Sequence, residues 1–129
     1  ELKVADLPGA WNEKYQHYLG IRPPNDADGV LQDVHWSAAL VGYFATYSLG
    51  NLYASQFFEQ AAEDLGDLNE QFAHGEFEPL RSWLEQKIHR GGQCVPAADL
   101  VQPVTGEPRS HASLMRHLRG TLGPLYGID

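Results

Sequence analysis

The chain has 129 residues, 43% of them hydrophobic and 11% aromatic, so it carries enough apolar material for a packed core and is not a disordered segment. Seventeen Asp and Glu against nine Lys and Arg leave a formal net charge of −8, which repels polyanions and excludes nucleic acid or an anionic membrane surface as the main partner. No run approaches the ~20 consecutive apolar residues of a membrane-spanning helix, and the lone Cys94 can neither close an internal disulfide nor build a thiolate metal cluster.

In chain order, Leu7-Pro8-Gly9 leads into Ala10, Trp11, Tyr15, Tyr18 and Leu19, whose spacing predicts a helix from Pro8 to Leu19 with Gly20 placed to end it. Arg22-Pro23-Pro24-Asn25-Asp26 is an ordered connector, because two prolines bar helix and Asn-Asp suits a turn. From Ser37 to about Leu65 there is no proline and apolar side chains crowd nearly every angle, which predicts one long, buried central helix. Gly42 and Gly50 inside it call for a closely packed neighbour. Glu59, Glu63 and Asp64 give its far end a wet side.

Downstream, Asp67 to Ala73 reads as a short helix. Phe77 to His89 reads as an amphipathic one with Leu80, Trp83, Leu84 and Ile88 inward, stopped by Gly91-Gly92 in a left-handed cap. Pro96 to Val104 forms another with proline in its first turn, and Ser110 to about Arg119 the last, continuing as a turn through Leu125 and Tyr126. No segment alternates as a strand does, so the fold class is all-α. The net charge sits in the middle: residues 1–22 balance three acids with three bases, residues 81–129 carry four acids and six bases, and between them lie ten acids and no Lys or Arg. That run reads as a solvated acidic face or as a face that meets a basic partner.

The six histidines fail the spacing test for a metal site. The nearest pair, His111 and His117, is six residues apart and cannot share one face of a straight helix as the two imidazoles of H-E-x-x-H do. His17, His74, His89, His111 and His117 are surface or capping residues. No G-x-S-x-G elbow or phosphate-cradling glycine loop is present. One stretch differs. Gln32-Asp33-Val34-His35-Trp36, followed by Gly42-Tyr43-Phe44-Ala45-Thr46-Tyr47, sets an amide, a carboxylate, an imidazole, an indole and two phenols among core-like residues. Buried polar groups must find partners or lose about 1–3 kcal/mol each. By residue type alone the stretch reads as an internal hydrogen-bond network ahead of an active site. Tyr43 and Tyr47, four apart, would present both hydroxyls on one side of the long helix.

Gly29-x-x-Gln32-Asp33-x-His35-Trp36 is similar to the G-x-x-Q-D-x-H-W signature of the carboxypeptidase Taq family of zinc metallocarboxypeptidases. Leu19-Gly20-Ile21-Arg22-Pro23-Pro24, Gly42-Tyr43-Phe44-x-Thr46-Tyr47, Leu49-Gly50-Asn51-Leu52-Tyr53-Ala54 and Leu122-Gly123-Pro124-Leu125-Tyr126-Gly127 resemble its flanks and terminus, so the likeness runs over essentially all 129 residues. It implies a longer, mostly helical, zincin-like cytoplasmic peptidase, often a homodimer, that removes single amino acids from peptide C-termini with one zinc ion. The H-E-x-x-H helix and the glutamate that complete that zinc site are absent here. Residues 1–129 then correspond to the C-terminal helical, substrate-cleft domain. The chain opens at Glu1 without an initiator methionine or signal-type run, and is read as trimmed from a longer product.

By itself such a piece lacks zinc ligands, and neither metal nor activity is expected of it without its N-terminal catalytic region. Its uncovered apolar surface would favour self-association. Within the intact enzyme the resemblance makes Tyr43 the donor to the oxyanion. A distant likeness to the angiotensin-converting enzyme family, where a histidine precedes a Tyr-Phe pair, makes His35 a donor to the substrate carbonyl. Asp33 or Gln32 would fix the imidazole tautomer, both would bind substrate with Tyr47, and Trp36 is packing. The alternative is a stand-alone acidic helical interaction module derived from that family.

Overall fold

In the computed structural model, which describes residues 2–128, every regular element is helical. The chain divides into two compact units, Glu1–Thr46 and Tyr47–Asp129. Glu1, on which the reading of a trimmed start rests, lies outside the described residues.

In the first unit, helix α1 spans Leu7–Leu19, with Pro8 in the first turn, where its missing N–H costs no bond, and Gly20 in the left-handed conformation at φ 71°. The connector is fastened by Asn25, whose Oδ1 accepts from the Asp28 backbone N–H and whose Nδ2 donates to Asp28 Oδ2, both at 2.9 Å. Gly29 is needed for close approach: a Cβ there would lie 3.0 Å from the Asn25 carbonyl oxygen and 3.1 Å from Pro23 Cβ. Two 3-10 turns follow, Val30–Gln32 and Val34–Ala38, with Asp33 between them.

Here the structure corrects the expected long helix. Helix α2 spans Thr46–Leu65, so the stretch from Ser37 to Ala45 lies outside it. Ala39 at φ 59° and Gly42 at φ 81° are both left-handed, a conformation no α-helix carries forward. The chain therefore turns twice before α2 begins, and Thr46 Oγ1 donates to the Tyr43 carbonyl at 2.7 Å where helix follows turn. Burial is corrected as well: Leu40, Val41, Phe44, Tyr47 and Leu49 are exposed. No neighbour justifies the glycines, since a Cβ at Gly42 or Gly50 would meet nothing within 4 Å. Gly42 serves the turn, and Gly50 lies on an open side of α2.

The second unit holds α2 after its first residue, α3 (Leu68–Ala73), α4 (Glu78–Lys87), α5 (Ala97–Thr105) and α6 (Ala112–Tyr126). Asp67 caps α3, its carboxylate accepting from the N–H groups of Asn69 and Glu70 at 2.9 and 3.0 Å. The core forms around Ala61, Leu68 and Trp83, and Leu80, Leu84 and Ile88 of the α4 stretch pack against it as their spacing predicts, joined by Phe57, Leu65, Phe72 and Val104. The Trp83 indole N–H donates to Asp64 Oδ2 at 2.8 Å, so the buried ring keeps its polar edge satisfied.

Three helix ends differ from expectation. After α4 a 3-10 turn, His89–Gly91, intervenes before the positive φ falls at Gly92. Pro96 caps α5 from outside its first turn. Helix α6 runs as true α-helix to Tyr126, with Pro124 inside its last turns.

Candidate active site

The polar stretch singled out in the sequence forms a small cluster inside the first unit. Asp33 sits in the gap between the two 3-10 turns, and its Oδ1 accepts from the His35 backbone N–H at 3.2 Å while lying 2.8 Å from Nδ1 of the same residue's ring. One oxygen thus fixes both the main chain and the imidazole of His35. Both side chains are well sheltered, with exposures of 7% for Asp33 and 16% for His35. The two are close because Asp33 caps a tight turn in which its carboxylate reaches forward two residues.

Beyond Ala39 the chain folds back. Leu40 N–H donates to the His35 carbonyl at 2.9 Å and Tyr43 N–H to the Leu40 carbonyl at 3.1 Å. This returns Tyr43 to His35, with ring centroids 5.1 Å apart at 38°, and sets Phe44 at 5.4 Å and 59°. The route to this meeting is a pair of left-handed residues, Ala39 and Gly42. The shared helix face assigned to Tyr43 and Tyr47 is corrected accordingly, because Tyr43 precedes α2 and only Tyr47 is helical, in the second unit. Both tyrosines are exposed.

Gln32 turns to the loop, its Nε2 donating to the Ala27 carbonyl at 2.6 Å, so of the two candidates for holding the imidazole it is Asp33 that does so. Trp36 packs its edge against Trp11 at 6.3 Å and 83°, and Trp11 stacks on Tyr15 at 5.2 Å. These rings line an apolar groove of about 550 Å³ whose rim carries Lys14 and Tyr18. Phe44 went unassigned in the sequence, although its adjacency to Tyr43 was a usable signal.

In the second unit the polar residues form a different arrangement, and no local signal could have found it. Gln56 is buried and spans the α5–α6 connection, donating to the Pro108 carbonyl at 3.0 Å and accepting from Ser110 N–H at 3.2 Å. Glu59 accepts from Arg116 through Nε and Nη2 at 2.6 and 2.7 Å and from the Ser113 hydroxyl. Arg116 first, and Ser113 second, hold the Glu59 carboxyl below the usual carboxylate range. Asp64 is lowered in the same direction by the Trp83 indole and then by the Gln60 amide. A groove of about 730 Å³ runs over Gln56, Glu59, Ser113 and Arg116.

His17, His74, His89, His111 and His117 are all exposed. Among the described residues no three His, Cys, Asp or Glu side chains are placed to hold a metal ion together. The described residues therefore do not by themselves fit a resident metal. What the His35–Tyr43 cluster offers is an imidazole locked by a carboxylate beside a phenol, two side chains able to hydrogen-bond one small polar group. No helix among the described residues is long and apolar enough to cross a membrane.

The family model of the carboxypeptidase Taq (M32) metallopeptidases matches residues 1–122. Thermostable carboxypeptidase 1 of Thermus thermophilus is 48% identical over 127 residues, and carboxypeptidase 1 of Bacillus subtilis 42% identical over 126; each match takes in 98% of this chain and 25% of the relative. Among solved structures, the M32 carboxypeptidase of Deinococcus radiodurans superposes with a TM-score of 0.89 at 36% identity, over 98% of this chain and 26% of that one. Metallocarboxypeptidase 1 of Trypanosoma cruzi does so with a TM-score of 0.85 at 34% identity, over 92% of this chain and 25% of that one. The chain thus spans about a quarter of the length of the relatives it matches.

Proposed function

Because the chain belongs to the carboxypeptidase Taq (M32) metallopeptidase family, we propose that it is the C-terminal, substrate-cleft portion of a zinc-dependent carboxypeptidase that releases single amino acids from peptide C-termini. The observation that carries this reading is the meeting of His35 and Tyr43, ring centroids 5.1 Å apart, with Asp33 gripping the imidazole.

Hydrolysis of an amide moves negative charge onto the former carbonyl oxygen. Donors already aimed at that oxygen stabilise the transition state more than the ground state, because nothing has to reorganise as the charge grows. We assign that donation to the Tyr43 phenol O–H, and a donation to the substrate carbonyl to His35. Asp33 removes the rotational freedom of the imidazole, so the ring stays oriented when a peptide arrives. Gln32 contributes by tying the Ala27 carbonyl into the loop that carries Asp33, and Tyr47 supplies a further contact to substrate.

Zinc is the metal we assign to the complete enzyme. Its ligands lie outside the residues described, so the part played by this chain is confined to the substrate. A single, exposed, free thiol at Cys94 fits the reducing cytoplasm we assign as its compartment. The exposed apolar side chains from Leu40 to Leu49 favour a homodimer or other self-association when nothing covers them.

The test is Tyr43→Phe in the complete enzyme. Turnover should fall more than tenfold, since one oxyanion donor contributes on the order of 3–4 kcal/mol, while bound metal measured by atomic emission stays unchanged. A variant that turns over peptide at the parent rate would remove Tyr43 from the mechanism.

A further inference from the structure

The loop ahead of the His35–Tyr43 cluster is tied to itself, and we propose that Asn25 is a positioning residue for the reaction: its clasp on Asp28 fixes the loop 25–32 and, through it, the turn that holds Asp33 and His35 toward substrate. This rests on the reading that His35 and Tyr43 address the carbonyl of a peptide.

Pro23 and Pro24 have no N–H to give, so the loop that follows them depends on side chains and short turns for its shape. Asn25 makes the first closure. Its Oδ1 accepts from the Asp28 N–H and its Nδ2 donates to Asp28 Oδ2, both at 2.9 Å. A backbone N–H only donates and a carboxylate only accepts, so the amide has one orientation here. Further along, the Asp26 carbonyl accepts from the N–H groups of Gly29 and Leu31 at 3.2 and 3.0 Å, and the Gly29 carbonyl from Gln32 N–H at 3.0 Å. The Gln32 amide closes the far end on the Ala27 carbonyl. All of these bonds run within residues 25–32.

The loop is also close-packed where it crosses itself. Gly29 is buried, and a Cβ on it would stand 3.0 Å from the Asn25 carbonyl oxygen and 3.5 Å from Asn12 Oδ1 of helix α1. Val30 is buried too, and its turn packs on α1. Asn25 is thus held between its own clasp and the Gly29 backbone. Asp33 is the next residue after the last of these bonds, and its Oδ1 grips His35, so a shift of the loop passes to the imidazole through one peptide link. Reacting groups tolerate little of this, since a displacement of about 1 Å can cost about a hundredfold in rate.

Charge makes the clasp necessary. Asp26, Asp28 and Asp33 put three carboxylates into eight residues, and residues 23–80 contain no Lys or Arg to offset them. The Asn25 amide is the side chain that donates to Asp28 among the described residues. Without it, repulsion among these carboxylates would draw the loop open.

The test uses the complete enzyme. In Asn25→Ala, kcat should fall about tenfold with KM nearly unchanged, because the clasp acts on groups that stabilise the transition state and not on the affinity for substrate. Amide hydrogen exchange, followed by mass spectrometry, should quicken in the turn Val34–Ala38, which contains neither of the deleted bonds. Gly29→Ala, which pushes on the Asn25 carbonyl from the other side, should show the same two changes. Exchanging the partners, Asn25→Asp with Asp28→Asn, rebuilds the pair with amide and carboxylate reversed and should restore both readings. Asn25→Asp alone sets two carboxylates against each other and should not.

Exchange in Val34–Ala38 that stays at the parent rate in Asn25→Ala overturns the proposal, as does a swapped variant no better than the single ones. If exchange quickens but kcat keeps its parent value, the proposal fails as well, and Tyr43→Phe locates the fault. A Tyr43→Phe enzyme at the parent rate places it in the reading of the cluster; one slowed more than about tenfold places it in Asn25.

Discussion

Trp83 and Asp33 are buried to nearly the same degree, at 6% and 7% exposure, for opposite reasons. In the second unit Trp83 disappears into an apolar cluster of helices α2 to α5, and its one polar atom is answered by Asp64. In the first unit a carboxylate is sheltered, its bonds all go to a residue two positions away, and Val30 is the one buried hydrophobic side chain there among the described residues. One unit draws its stability from apolar area. The other holds the hydrogen-bonded Asp33–His35 pair with little buried apolar support among the described residues.

The largest expected effect tests the first half of that contrast. Trp83→Ala should cost about 3–5 kcal/mol in urea unfolding, and Val30→Ala only about 2 kcal/mol, from two lost methyl groups and their burial. Equal costs would mean that the first unit has a core comparable to the second. The two glycines sharpen the same comparison. Gly42→Ala places a Cβ at φ 81° and should cost about 1–2 kcal/mol, whereas Gly50→Ala in open space on α2 should gain about 0.5–1 kcal/mol. Thermal melts of both variants should therefore move in opposite directions.

The smallest effect concerns Glu59. Its carboxyl is held below the unfolded value by Arg116 and Ser113, so its contribution is present at neutral pH and is lost as pH falls through the lowered folded value. Arg116 is 61% exposed and solvent screens the pair, which keeps this within about 1 kcal/mol. Urea midpoints followed from about pH 6 to about pH 3 should decline less steeply in Arg116→Ala.

Where local chemistry decides the conformation, the sequence was readable. Pro8 and Gly20 bracket α1, and the apolar spacing of Leu80, Trp83, Leu84 and Ile88 named the face of the α4 stretch that packs inward. The start of α2 was not readable, because alanine is the best helix former and nothing at Ala39 announces a left-handed residue; only the rest of the turn imposes it. The signature residues led to His35 and Tyr43, yet the chain between them runs through left-handed Ala39 and Gly42 where a continuous helix was expected. Gln56, Glu59, Ser113 and Arg116 pair across more than fifty residues of sequence, a distance over which no periodicity carries information.

The claim at the centre is that His35 and Tyr43 address the carbonyl oxygen of a bound peptide. A crystal structure of the complete enzyme with an uncleavable peptide measures this directly. Tyr43 Oη and His35 Nε2 should both stand about 3 Å from the carbonyl oxygen at the cleavage position, with Asp33 still on Nδ1. A peptide seated in the cleft with both side chains beyond hydrogen-bond reach of that oxygen would contradict the account.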